Sequence, residues 1–202
     1  MNDCDLGIYY DNPNEASDMY LKWLLKDCEE NDISVKVYHD AKEWDKATHT
    51  AELYLEPILD PYINIMKYFK NNVDDPSATA QGIYDYIIEH YPNREHIIAV
   101  IGRGLVGKQL IDKLIDYGYT VCEFNSKSNK ESMIDYCHLF AEIIVGLSTE
   151  QVFNQHECNF VDNGKLFIDA ANNFDTKNKL RCGKWTRQVI IDRIKKLKGE
   201  EI

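Results

Sequence analysis

His96-Ile97-Ile98-Ala99-Val100-Ile101-Gly102-Arg103-Gly104-Leu105-Val106-Gly107 is the stretch whose reading decides the fold. It runs apolar at nearly every position up to Ile101, as a strand buried on both faces does, and then turns on G-x-G-x-x-G before a helical pattern over about Val106–Tyr117. Each glycine has a mechanical reason. Gly102 permits the tight turn, Gly104 lets a backbone approach a pyrophosphate, and Gly107 lets the helix lie close on the strand. Free N–H groups at the helix start, those of Leu105 and Val106 included, face the phosphates. With a second strand at Tyr119–Phe124, residues 96 to 124 predict a unit that holds a dinucleotide.

Around this unit the second half alternates. Strands are expected at Glu142–Leu147 and Lys165–Asp169, and helices at Lys130–Leu139 and Trp185–Leu197, the rhythm of a doubly wound parallel sheet. The first half opens β-α-β, with strands at Leu6–Tyr10 and Ile33–Tyr38 and a helix from Glu15 to Asn31 carrying Met19, Trp23 and Leu24 on its apolar stripe. Between residues 40 and 75 the apolar residues Trp44, Ala47, Leu53, Leu55, Ile58, Ile63, Met66 and Phe69 suggest one or two helices broken near Pro57 and Pro61. Ser77 caps a helix reaching about His90. The expected architecture is α/β in two lobes: a smaller amino-terminal lobe over 1–76, a Rossmann-like lobe over 77–182, and a final helix over 183–202 returning to the first.

Composition narrows the partners. A formal charge of −11 in 202 residues argues against a nucleic-acid backbone as ligand, and the basic Arg193–Lys198 run reads as the solvated face of a terminal helix. The longest apolar runs fall far short of the roughly 20 residues of a membrane span, and the chain opens without a signal-peptide pattern, so a cytoplasmic protein is expected. The six cysteines show no C-x-x-C and no metal spacing, so no metal site is assigned. None of the six histidines sits beside a likely nucleophile.

The choice between the two nicotinamide nucleotides turns on the loop after the second strand. Asn125-Ser126-Lys127-Ser128 offers a cation, an amide and two hydroxyls, which suits the 2′-phosphate of NADP. Glu123 is the rival, a ribose-binding acid that would favour NAD, or else a solvent-facing strand residue.

Several segments together resemble the methylenetetrahydrofolate dehydrogenase/cyclohydrolase (FolD-like) family, in a divergent and shortened form. Gly102-Arg103-Gly104-Leu105-Val106-Gly107-Lys108-Gln109 is similar to its G-R-S-x-x-V-G-x-P turn, one residue shorter, with Gly for Ser and Gln for Pro. Asn125-Ser126-Lys127-Ser128 resembles its H-S-R-T loop, Ala141–Val145 its A-D-I-V-V strand, and Asp162–Asp169 its G-A-x-V-I-D strand. Gly183-Lys184-Trp185-Thr186 resembles G-P-M-T, and Pro76–Gly82 resembles P-C-T-P-x-G. In the first half Asp11-Asn12-Pro13-Asn14 and Tyr20 resemble D-N-P-A-S-x-x-Y, and Cys28–Ile33 resembles C-E-E-x-G-I.

The resemblance implies NADP-dependent oxidation of 5,10-methylenetetrahydrofolate to the 5,10-methenyl form, in a homodimer. It assigns substrate positions to Tyr20, Glu56, Asp74 and Gly183, with Tyr20 and Asp74 positioning the folate, and cofactor positions to Thr79, the 102–107 turn, Asn125, Ser126, Lys127, Ser148 and Thr186. The family's proton-handling lysine lies four residues after the tyrosine, and here that residue is Leu24. A leucine exchanges no proton, and general acid–base help is worth on the order of 10² to 10⁴ in rate, so weak or absent cyclohydrolase activity is expected. The alternatives are a catalytically silent dinucleotide-binding paralogue with a regulatory or partner-binding role, and a dehydrogenase of an unrelated small substrate in which Tyr20 is a packed core aromatic.

Overall fold

The computed structural model describes residues 4–10, 15–40, 42–43, 51–57, 65–69, 77–148 and 150–199. The chain divides into two compact units, Met1–Ala78 with Arg187–Ile202, and Thr79–Thr186. The α/β architecture expected from the βαβ rhythm is what the chain adopts.

In the second unit five strands lie parallel in the order β6-β5-β7-β8-β9: β5 Ile97–Ile101, β6 Thr120–Phe124, β7 Ile143–Gly146, β8 Leu166–Asp169 and β9 Lys179–Arg181. The apolar run of β5 sits in the interior of that order, as two-sided burial requires. Alternate residues serve opposite faces. Ile98 and Val100 join Ile143, Val145 and Ile168 in a core with helix α2 (Ala78–His90) and helix α3 (Leu105–Tyr117), whose inward residues include Ile83, Ile87, Leu110 and Leu114. Ala99 and Ile101 join Ile144 and Phe167 against helix α4 (Lys130–Leu139) and helix α5 (Gln155–Val161) through Met133, Cys137, Cys158 and Val161. Two elements had escaped the sequence reading. Helix α5 is a short helix held by a capping box, Asn154 Oδ1 accepting from Glu157 N–H while Glu157 accepts from Asn154 N–H, and β9 is a three-residue edge strand.

The first unit is built on a four-stranded sheet in the order β2-β1-β3-β4. Strands β1 (Cys4–Tyr9), β2 (Val35–Tyr38) and β3 (Ala51–Pro57) pair in parallel, and β4 (Ile65–Phe69) is antiparallel to β3. This corrects the helices expected between 40 and 75. Ala51-Glu52-Leu53-Tyr54-Leu55-Glu56 alternates with period two, the strand signature, and the wider spacing of apolar residues across the segment had masked it. Trp44, Ala47, Ile58, Pro61 and Ile63 lie outside the described residues.

Helix α1 (Glu15–Glu30) buries Leu24 and Cys28 fully and packs Tyr20 and Leu21 partly against Leu6, Ile8 and Ile33. Spacing of four places 20, 24 and 28 on one stripe. Met19 and Trp23, expected on that stripe, are 44% and 47% exposed. The last helix, α6 (Gly183–Lys198), gives Val189, Ile190, Ile191 and Ile194 to the same core and ends in Lys195, Lys196 and Lys198, favourable at a helix C-terminus. Among the described residues no helix is long and apolar enough to cross a membrane.

Leu24→Ala removes a fully buried side chain and is expected to cost about 2 to 5 kcal/mol in chemical denaturation. A second expectation concerns acid. Burial pushes the Asp5 carboxyl up, but the Ser34 N–H and hydroxyl at 2.8 and 2.9 Å and the Lys198 ammonium outweigh it, holding the group below its ordinary value. A lowered carboxyl contributes stability above its unfolded value, and the contribution fades as pH falls through the folded one. Asp5→Asn therefore flattens the loss of stability below about pH 4, read from melting temperature against pH.

Candidate functional site

The turn between β5 and α3 starts where β5 ends. Gly102 has φ +112°, a left-handed backbone that suits glycine, and its N–H donates to Phe124 O at 2.8 Å, tying the exit of β5 to that of β6. A Cβ on Gly102 would stand 2.6 Å from the carbonyl carbon of Leu147 and 2.8 Å from Ser148 N, so the loop after β7 closes the other side. Gly107 is tighter still, since a Cβ there would lie 1.9 Å from Gly102 O. Helix and strand can approach this closely because both positions lack side chains.

Gly104 differs. It caps α3 with extended dihedrals, its carbonyl accepts from Lys108 N–H at 2.9 Å, and no side chain caps the helix N-terminus. A Cβ there would meet nothing within 4 Å. Gly104 therefore stands at an open position beside the first-turn N–H groups, which have no partner within the helix, and beside the positive end of the helix dipole. Strand order places this opening at the switch point, because β5 leads on one side to β6 and on the other to β7. That is where parallel sheets bind ligands.

On the β6 side, Asn125 and Ser128 are committed to the turn itself. Asn125 Oδ1 accepts from Lys127 N–H at 2.9 Å, and Ser128 Oγ accepts from Asn125 N–H at 3.0 Å. The side chains of Ser126 and Lys127 are exposed. Arg103 Nε reaches back to Glu123 Oε2 at 3.2 Å, both side chains exposed.

On the β7 side, Ser148 Oγ accepts from Glu150 N–H at 3.2 Å. The fully buried Asn173 holds this loop, its Nδ2 donating to Ser148 O and to Glu150 O, each at 2.7 Å. Asn173 is itself placed by Asp169 at the end of β8, whose Oδ1 accepts from Ala171 N–H at 3.1 Å and Asn173 N–H at 2.9 Å. The ammonium of Lys179 sits 2.9 Å from Asp169 Oδ2 and donates to Phe174 O, so the buried carboxylate is paired. The sequence reading missed Asn173, Asp169 and Lys179; the Asp-x-x-x-Asn spacing after an apolar strand was the signal available for the first two.

Thr79 and Thr186 form a separate pair. Thr186, 5% exposed, donates to Cys182 O at 3.2 Å and lies 3.4 Å from Thr79 Oγ1, beside the contact of Gly82 with the Trp185 backbone. Gly183 opens α6 next to them. Burial pushes the Cys182 thiol up to about 12, as it does those of Cys28 and Cys137, which leaves all three protonated and inert at neutral pH. Among the described residues no group of acids, histidines and cysteines could hold a metal ion.

In the first unit Tyr20 packs against the core, with the Arg187 guanidinium 5.7 Å from its ring centroid and 5.3 Å from that of Trp23. Asp27 fixes that guanidinium at 2.5 Å. Leu24 is wholly buried, while Lys22 and Lys26 are exposed, Lys26 pairing with Glu30 at 3.4 Å. Glu56 lies in β3 opposite Met66. Asp74, the Asp11–Asn14 segment and Pro76 lie outside the described residues.

Solved structures with this arrangement include methylenetetrahydrofolate dehydrogenases and shikimate dehydrogenases. The bifunctional FolD dehydrogenase/cyclohydrolase of Campylobacter jejuni superposes with a TM-score of 0.70 at 16% identity, over 96% of this chain and 88% of that one. The chain has the FolD fold. The Trypanosoma brucei FolD enzyme, solved with NADP and an inhibitor, gives 0.73 at 10% identity over 97% and 86%. The NAD-dependent 5,10-methylenetetrahydrofolate dehydrogenase of Saccharomyces cerevisiae gives 0.72 at 14% over 95% and 86%. No protein-family model and no curated protein sequence matches the chain. The family resemblance read from the motifs is therefore met at the level of fold.

Two glycines of the turn separate packing from access. Gly107→Ala forces α3 off Gly102 and is expected to cost about 1 to 3 kcal/mol. Gly104→Ser places a capping hydroxyl at an open position and is expected to hold or raise stability by a few tenths of a kcal/mol. Urea unfolding of the two variants checks both, and equal losses would contradict the assignment.

Proposed function

We propose that the chain is an NADP-dependent dehydrogenase of the methylenetetrahydrofolate type that lacks cyclohydrolase activity. The observation that carries the reading is the uncapped start of α3 with open space in front of Gly104 at the switch point of a parallel sheet. A pyrophosphate fits such a cradle, since backbone N–H groups and the helix dipole supply the attraction and no Cβ obstructs the approach. The FolD fold supports the folate assignment.

In this reading Gly102, Arg103, Gly104, Leu105, Val106 and Gly107 hold the diphosphate. Arg103, Ser126 and Lys127 meet the 2′-phosphate, with Asn125 shaping their turn. Ser148, on the loop held by Asn173, lines the nucleotide from the β7 side. Thr79 and Thr186 complete the cofactor set, while Tyr20, Glu56, Asp74 and Gly183 position the folate. Held by these residues, a nicotinamide would supply a hydride acceptor for the bridging methylene carbon. The chain's own part would be to position the two partners about 3 to 3.5 Å apart, and no protein group need exchange a proton in that step. Hydrolysis of the methenyl bridge is different, because it needs a proton-handling group. Leu24 supplies none and is part of the core, so a cyclohydrolase step has no agent at that position. The same reading makes the protein a cytoplasmic homodimer.

The burial of Leu24 equally favours a silent nucleotide-binding relative, and one experiment separates the two. Saturating NADP, at about 100 times its Kd, stabilises by roughly 2.7 kcal/mol, which appears as a rise of several degrees in melting temperature. NADPH then forms from methylenetetrahydrofolate with no hydrolysis of the methenyl product above buffer rate. Binding without NADPH formation selects the silent relative, and a melting temperature that neither NADP nor NAD moves overturns the nucleotide reading.

A further inference from the structure

The dinucleotide reading gives Arg103 a phosphate to hold but leaves its ion-pair partner, Glu123, without a role. Arg103 Nε and Glu123 Oε2 lie 3.2 Å apart, on side chains 54% and 39% exposed. Both stand at the carboxyl edge of the sheet. Glu123 is the penultimate residue of β6, opposite Val100, and Arg103 follows the glycine whose N–H is bound to Phe124 O. The next turn presents Ser126 and Lys127 to solvent. A strand acid at this edge is the group that accepts hydrogen bonds from the ribose hydroxyls of NAD, whereas a guanidinium, an ammonium and a hydroxyl are the groups that bind a phosphate there. Here the two kinds of group are bonded to each other.

Resting on the nucleotide reading above, the geometry points to Glu123 as the residue that sets the choice between NAD and NADP. An exposed ion pair contributes little net stability, so Arg103 leaves Glu123 readily when a better anion arrives. The 2′-phosphate of NADP is such an anion, and with Lys127 and Ser126 it draws the guanidinium away. Its cost is the carboxylate left behind, a fixed negative charge close to a phosphate. NAD meets no such repulsion. Its ribose hydroxyls donate to Glu123, which remains paired with Arg103. Glu123 therefore weakens NADP and strengthens NAD, and narrows a preference that the Asn125–Ser128 turn would otherwise make wide.

The test is titration calorimetry of the full chain with NADP and with NAD, on the wild type, Glu123→Gln and Arg103→Ala. Glu123→Gln keeps the shape and removes the charge. It is expected to raise the preference for NADP over NAD by about tenfold, with the gain shrinking as salt rises from 0.05 to about 0.5 M. Arg103→Ala is expected to weaken NADP by about tenfold or more while NAD changes by less than about threefold. Glu123→Ala repeats the measurement should the glutamine variant melt below the wild type. A preference that stays constant in both Glu123 variants, through no change or through equal changes for the two nucleotides, overturns the assignment of Glu123 and leaves the nucleotide reading standing. A wild type that binds neither nucleotide overturns both.

Discussion

The close approach of α3 to the end of β5 is the constraint on which the second unit depends. A hydrogen on the Gly107 Cα is all that fits beneath Gly102 O, where a Cβ would lie 1.9 Å away. Because the helix can come that near, its inward residues Val106, Leu110, Ile111 and Leu114 reach the face of the sheet carrying Ile98, Val100 and Val145. The same approach sets the start of α3, with the N–H groups that lack helix partners, directly beside the carboxyl end of β5. Packing and, in the proposed function, the phosphate cradle are thus two results of one missing side chain. The positive φ of Gly102 does the complementary work, bending the chain inside a space already bounded by Leu147 and Ser148.

That space has walls because of polar groups buried behind it. Asp169, Asn173 and Lys179 form a chain of contacts, from the ammonium on the β8 carboxylate to the carboxamide Nδ2 on two carbonyls of the β7 loop, with Asn173 Oδ1 alone lacking a partner among the described residues. Buried polar groups of this kind are costly unless they are paired, and paired they specify one arrangement. Gly146 belongs to the same device, since a Cβ there would stand 2.6 Å from that of Asn173. The loop opposite Gly102 is therefore held by the sheet itself.

How much the sequence disclosed depends on the range of the interactions concerned. Strand, turn and helix from Ile97 to Tyr117 depend on neighbours in sequence, and they read correctly. The segment from Ala51 to Phe69 did not. Its strands gain their stability from pairing with β1 and with each other, and scattered apolar residues in a window containing prolines imitate broken helices. In α1 the error was one of phase. Met19 and Trp23 are the larger apolar residues, but the stripe that meets the sheet is 20, 24 and 28, with Cys28 and Leu24 wholly inside. The Asp169–Asn173–Lys179 chain was invisible for a third reason: its partners meet through tertiary contact, and none belongs to a residue type that marks nucleotide binding.

Under the proposed function, Leu24 is where the fold is kept while a proton-handling position is given up. A lysine in the place of Leu24 would need an exit to water or a counter-charge, and the surroundings offer Leu6, Ile8, Ile33 and Ile190. An ammonium among them would be desolvated, at a cost of several kcal/mol unless it met a partner. The helix resolves this by making the position apolar. Its cation interactions instead lie outside the core, where Arg187 is pinned by Asp27 over the rings of Tyr20 and Trp23. A proton-handling step would still need a titrating group at position 24. Hydride transfer makes no such demand on the protein, being a matter of placement. The physical consequence is an asymmetry between two reactions on one scaffold: the step that requires geometry alone can outlive the step that requires a titrating side chain, and the nucleotide turn can remain intact after position 24 has joined the core.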